Sequence, residues 1–259
     1  MHTWDPDHYL AYADERGRPF VDLLARVRAD APTEVADLGC GPGNLTALLA
    51  QRWPAAEVHG VDSSPDMVAT AVRDHGESAT FTVGDLRSWT APAAGVDVLV
   101  SNATLQWLPD HLELLPRLVA QVRPGGWFAF QVPGNVGEPS HAIRHELAAE
   151  APYAAHTAGA AVPTSHDPEV YLGGLAALGC EVDVWETTYL HLLCGPDDPD
   201  PVFTWVSGTG ARPTLQALPD DLRPAFEDEF RRRLRAAYPT HAHGVVLPFR
   251  RIFAVARVT

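Results

Sequence analysis

The sequence predicts an α/β fold, a doubly wound and mostly parallel seven-stranded sheet with a helical cap inserted in the C-terminal half. Two observations carry that prediction. In the first half, five short apolar runs alternate with helical patterns, and repeated strand–helix units build a parallel sheet with helices on both faces. In the second half, a helical stretch over 199–239 separates the last two apolar runs. Those two strands then close one sheet edge while the segment between them covers the sheet.

The elements follow in order. Residues 35–38 form a strand that stops at Gly39, and Asn44 opens a helix with Leu45, Leu48 and Leu49 on one face. Residues 57–61 make the second strand; Ser63, Ser64 and Pro65 then supply an N-cap with a proline in the first turn, ahead of Met67, Val68 and Ala71. Residues 79–83 are the third strand. Residues 96–100 read as an unbroken apolar run, as a strand covered on both faces should. A helix over 109–122 closes at Pro124, Gly125 and Gly126, and 127–132 make the fifth strand. Beyond it come a helix over 139–149, a loop or lid piece over 151–167, a helix over 168–178 that ends at Gly179, and strands over 181–192 and 249–258. The chain thus divides into 1–134, a ligand-binding core with an N-terminal helical element, and 135–259, the remaining strands plus the cap, in one domain overall.

Composition excludes several functions. The formal net charge is −14, and all 19 basic residues are arginine. Such a chain repels polyanions, so a diffuse nucleic-acid or anionic-membrane footprint is not expected. No apolar run approaches the roughly 20 residues that span a bilayer, and the start of the sequence is too polar for a secretory signal, so a cytoplasmic protein is expected. Cys40, Cys180 and Cys194 are scattered and read as buried thiols. The twelve histidines show no metal-ligand spacing, so no metal site is expected.

The chemistry concentrates in Asp37-Leu38-Gly39-Cys40-Gly41-Pro42-Gly43-Asn44. Glycines between a strand and a helix let backbone approach a ligand, and the helix behind them offers unpaired N–H groups. Dinucleotide sites share that pattern, and Asp37 discriminates: a carboxylate there opposes pyrophosphate and favours a cationic ligand such as S-adenosylmethionine. Asp62 ends the second strand, where a carboxylate can accept both ribose hydroxyl protons. Asp85 ends the third, where it can accept from the adenine amine. A nicotinamide dinucleotide would also use Asp62; the adenosylmethionine reading uses all three acids. Each aspartate could alternatively be a helix N-cap.

These residues resemble class I S-adenosylmethionine-dependent methyltransferases. The likeness narrows through Trp4 to Leu10, Arg16 to Pro19, Asp37 to Gly43, Asp62 to Pro65, Asn102 to Trp107, Gly179 to Tyr189 and Pro248 to Phe253 to the family that methylates trans-aconitate, and it runs end to end. The resemblance implies a Rossmann-like fold, S-adenosyl-L-methionine as cofactor, and cofactor contacts at Asp37, Gly39, Gly41, Asp62, Ser63, Met67, Asp85, Leu86 and Asn102. The reaction it implies is methyl transfer to a carboxylate. A carboxylic acid with a pKa of roughly 3 to 5 is already ionised at neutral pH, so no catalytic base is expected; the protein must place the nucleophile and exclude water.

A small polyanionic acid would need arginine clamps, because the guanidinium fork matches a carboxylate and keeps its charge when desolvated. Arg251 is the first choice; Arg250, Arg16, Arg18 and Arg144 are alternatives, and Arg16 or Arg18 would equally suit the carboxylate of the cofactor. Neighbours on a regular strand face opposite sides, so Arg250 and Arg251 do not both enter one pocket. Gln106, Trp107, His141, Tyr189 and Trp205 complete the candidate substrate set. A neutral hydroxyl acceptor would instead need a base, and His141 would then gain importance. Another small acid as acceptor and a cofactor-binding module without turnover also remain open. Oligomeric state is not legible.

Overall fold

The computed structural model describes residues 13–193 and 198–259; the motif from Trp4 to Leu10, Cys194 and the side chain of Arg16 lie outside the described residues. Seven strands form one sheet in the order β3-β2-β1-β4-β5-β7-β6: β1 (Glu34–Leu38), β2 (Glu57–Asp62), β3 (Thr80–Val83), β4 (Val96–Asn102), β5 (Val122–Pro133), β6 (Glu181–Leu193) and β7 (Val245–Arg257). The pairs β1·β2, β1·β4, β2·β3 and β4·β5 are parallel, and only β7 runs against its neighbours. The strand order reverses between β1 and β4, and ligands of open α/β sheets bind in the crevice outside the carboxyl ends of the strands at such a point.

Helices cover both faces. On one face α1 (Ala13–Leu24) and α2 (Asn44–Arg52) pack Phe20, Leu23 and Leu49 against Val98, Val100, Phe253 and Val255. Helix α3 (Pro65–His75) is capped by Ser64, whose Oγ accepts from the Met67 N–H at 3.4 Å, with Pro65 in the first turn as the sequence predicts. On the other face α4 (His111–Val119) buries Leu115 and Leu118 against Phe128 and Phe130.

The predicted helix over 109–122 is shorter, and β5 begins earlier, at Val122. Gly125 sits at φ +82°, and a Cβ on Gly126 would lie 2.7 Å from the Asp97 carbonyl oxygen. The two glycines therefore let the chain turn tightly and still pair with β4, through a register shift between Val96 and Val98.

In the second half come α5 (Pro139–Ala148), α6 (Ala154–Thr157), α7 (Pro168–Ala177), α8 (Pro201–Ser207), α9 (Arg212–Ala217) and α10 (Arg223–Ala237). The loop expected over 151–167 contains α6, and the helical stretch over 199–239 is three helices. β7 starts at Val245, four residues before the expected start, because β6 and β7 pair along their whole length from Glu181↔Arg257 to Leu193↔Val245. The far end of this ribbon carries Leu193, Val245, Leu247 and Phe249 into a separate cluster with Leu147, Trp205, Phe226, Phe230 and Leu234. That cluster is the core of the cap. Cys40 is buried as expected and Cys180 only half-buried. No helix among the described residues is long and apolar enough to cross a membrane.

Candidate functional site

The turn after β1 is built around glycines in the left-handed region. Gly39 has φ +83°, and a Cβ there would meet Thr104 Oγ1 at 2.0 Å; Gly41 has φ +55° with nothing within 4 Å of its would-be Cβ. The first glycine thus locks the turn against the loop after β4, and the second leaves bare backbone facing open space. Asp62 Oδ2 accepts from the Gly41 N–H at 2.9 Å, and its Oδ1 from the Ser64 N–H at 2.9 Å. Burial pushes the Asp62 carboxyl up while those backbone donors pull it down. Each oxygen keeps a lone pair, so the carboxylate can still accept two hydroxyls.

A cleft of about 430 Å³ lies over this turn. Its wall includes Gly39, Gly41, Asp62, Ser63, Met67, Asp85, Leu86 and Asn102, eight of the ten expected cofactor residues. Asp37 is not on the wall. Its carboxyl is 2% exposed and accepts from Thr46 Oγ1 at 2.7 Å. Burial pushes its pKa up to about 7, against the Thr46 hydrogen bond and with a contribution from Asp62. Asp37 is therefore a buried acid beneath the loop, able to act on a ligand through space. Arg18 is not on the wall either: it is exposed, with its guanidinium 5.0 Å over the Tyr189 ring. Asp85 is gripped by Arg87, whose Nη2 lies 2.6 Å from Asp85 Oδ2, a partner the sequence reading did not foresee although it stands two residues away. Arg212, Trp107 and Ala161 close the cleft from the cap side and the 3₁₀ turn Leu105–Trp107.

A second, inner cavity of about 80 Å³ adjoins the first and shares Asn102, Ala103 and Trp107 with it. Gln106, Asn135, His141, Trp205, Phe249 and Arg251 line the rest. Five of the expected substrate residues are therefore together: Gln106, Trp107, His141, Trp205 and Arg251. Tyr189 and Arg250 are elsewhere. Tyr189 packs on the α1 face and donates to Asp22 Oδ2 at 2.6 Å. Arg250 faces the other side of β7, where it pairs with Glu186 and with Asp167 at 3.1 Å, as strand alternation requires. Arg16 lies in α1 with its side chain outside the described residues.

Arg251 is 5% exposed, stacked 4.3 Å from the Phe249 ring, and its Nη1 donates to Gln131 Oε1 at 3.0 Å. Gln131, fully buried, donates in turn from Nε2 to Asn102 Oδ1 at 3.2 Å. Gln131 thereby ties the Arg251 guanidinium to Asn102, one of the residues shared by both cavities. The sequence could have flagged it as a lone polar residue in the apolar run 127–132. Asn135 was also missed; it is 3% exposed with Oδ1 lacking a hydrogen-bond partner among the described residues. His141 packs against Gly210, where a Cβ would lie 2.6 Å from its Cε1. Burial, then the nearby Arg144 charge, push its pKa down to about 4, so its imidazole is neutral near pH 7.

A large cleft over a glycine turn, opening on a small arginine-lined cavity, suits a bulky cofactor beside a small anion. A family profile described as a methyltransferase domain matches residues 35–126. Trans-aconitate 2-methyltransferase of Streptomyces avermitilis is 51% identical, with 98% of this chain and 96% of the relative covered. The Streptomyces coelicolor protein of the same name is 52% identical over 98% of this chain and 86% of its own length. Among solved structures, phosphoethanolamine N-methyltransferase 2 of Haemonchus contortus in complex with S-adenosyl-L-methionine superposes with a TM-score of 0.55 at 17% identity, covering 93% of this chain and 53% of that one. That likeness carries the fold alone.

Proposed function

Because the chain belongs to the family of trans-aconitate 2-methyltransferases, whose cofactor is S-adenosylmethionine, we propose that it methylates a carboxylate of trans-aconitate, giving the monomethyl ester and S-adenosylhomocysteine. The observation that carries the reading is the buried Arg251 guanidinium in a cavity that shares Asn102 and Trp107 with the larger cleft. The residues present fit the cofactor: the bare backbone at Gly41 gives room for close approach, and Asp62 keeps free lone pairs for a diol. When bound, the cofactor supplies an electrophilic methyl group on a sulfonium. Asp62 would hold the ribose, Leu86 and Met67 would flank the adenine, Asp85 would meet its amine beside Arg87, and the buried Asp37 would favour the cationic end.

Arg251 clamps the acceptor, and the relay through Gln131 fixes its fork relative to Asn102. Trp107 stands on the wall of both cavities, and Trp205 and Gln106 line the inner one. No base takes part, since the acceptor is already ionised and neutral His141 is too weakly basic to matter. The work divides near residue 134: the core before it holds the cofactor, and the cap after it, with β7, chooses the acceptor. The test is incubation with methyl-labelled cofactor and a panel of mono-, di- and tricarboxylates. Label should appear as a base-labile ester on trans-aconitate. Label on a different acid with none on trans-aconitate contradicts the proposed acceptor.

A further inference from the structure

Arg144 on α5 is 3% exposed. Its Nη1 donates to Thr214 Oγ1 at 2.8 Å, its Nε is buried without a hydrogen-bond partner, and it forms no ion pair among the described residues. Other arginines of the cap behave differently: Arg231, Arg233 and Arg235 are paired with Glu227, Glu150 and Asp200 at 2.7, 2.9 and 2.5 Å. A buried guanidinium without a counter-charge is costly to a fold, and a ligand carboxylate removes the cost. Arg144 lines a chamber of about 280 Å³ whose wall also carries His141, His145 and one carboxylate, Glu146. This outer chamber shares Val136, His141 and Pro163 with the inner cavity.

The two chambers differ in size. The inner cavity, at about 80 Å³, is the smaller, and the outer chamber, at about 280 Å³, offers the further room that a third carboxylate would use. The cofactor cleft on its other side is taken by the cofactor. Resting on the tricarboxylate reading above, we propose that the outer chamber is a second anion subsite, in which Arg144 holds a carboxylate that is not methylated. The subsite selects tricarboxylates over dicarboxylates and fixes which carboxylate reaches the methyl group.

The experiment compares KM for trans-aconitate with KM for fumarate, a dicarboxylate lacking one arm, in the wild-type protein, Arg144→Met and Arg144→Lys. A charge-assisted hydrogen-bonded pair predicts a tricarboxylate advantage of about ten- to a hundred-fold in the wild type. Arg144→Met should collapse that ratio toward one and scatter the position of the ester, with Arg144→Lys restoring part of the ratio. An unchanged ratio in Arg144→Met that unfolds at the wild-type temperature overturns the proposal. If Arg144→Met does not fold, equal KM values for the two acids in the wild type overturn it instead. Absence of any carboxylate methylation by the wild type would fail the underlying reading, a distinguishable result.

Discussion

Arg251 and Asp37 are both buried ionisable residues at the site, and each makes a prediction. Arg251→Met keeps the stacking volume over Phe249 and removes the charge, so KM for the acceptor should rise roughly ten- to a hundred-fold while cofactor affinity, measured by calorimetry, stays near wild type. Gln131→Met should act in the same direction but less, through lost orientation of the fork, and should lower kcat as well. Asp37 has a folded pKa of about 7 against an ordinary 3.8. As pH rises between those values the unfolded chain gives up this proton first, so the folded state is destabilised progressively, on the order of a few kcal/mol. The melting temperature of the cofactor-free protein should fall from pH 5 to pH 7.5. Asp37→Asn should flatten that fall and weaken cofactor binding, and a steeper slope in the variant would refute the assignment. Local pattern made Asp37, Asp62 and Arg251 legible in the sequence. It did not reveal that Thr46 holds Asp37 inside, which depends on how helix α2 packs, or that Gln131 meets Arg251, which depends on the register between β5 and β7.

The elements place these groups by simple means. Gly39 turns the chain where a side chain would strike Thr104, so Gly39→Ala should lower stability by more than the roughly 1–2 kcal/mol of a left-handed alanine and should abolish cofactor binding, as read by thermal melts with and without it. The β6–β7 ribbon does the rest. It pairs along thirteen residues per strand and extends beyond the sheet into the cap core, so one strand carries both the sheet residue Phe253 and the clamp Arg251. The strand–helix alternation and Ser64 cap were readable because they are local. The start of β7 was not, because it follows from pairing with β6, nor was the three-helix division of the cap, whose helices pack around Phe226, Phe230 and Trp205. Tyr189 shows the same limit: it falls in the strand predicted over 181–192, but only the sheet topology turns it toward Asp22.

At the scale of the molecule, the charge of −14 and the arginine clamps describe one design. Several half-buried or exposed arginines are neutralised by carboxylates, as in the Arg231 to Arg235 run, whereas Arg144 and Arg251 are buried in the cap and at the cavity. The overall field therefore repels the proposed substrate until it is inside. Raising ionic strength toward 0.15 M, where screening lengths shorten to about 8 Å, should raise kcat/KM for the tricarboxylate modestly; a steep fall would instead indicate an exposed cationic funnel. The central claim is catalysis by placement, with no proton transfer in the reacting complex. It is tested most directly by kcat under saturating cofactor and trans-aconitate across pH 6 to 8, which reports only groups in the bound complex. The account predicts a flat profile in the wild type and in His141→Gln. A kcat that falls tenfold per unit below pH 7, and loses that dependence in His141→Gln, would contradict it.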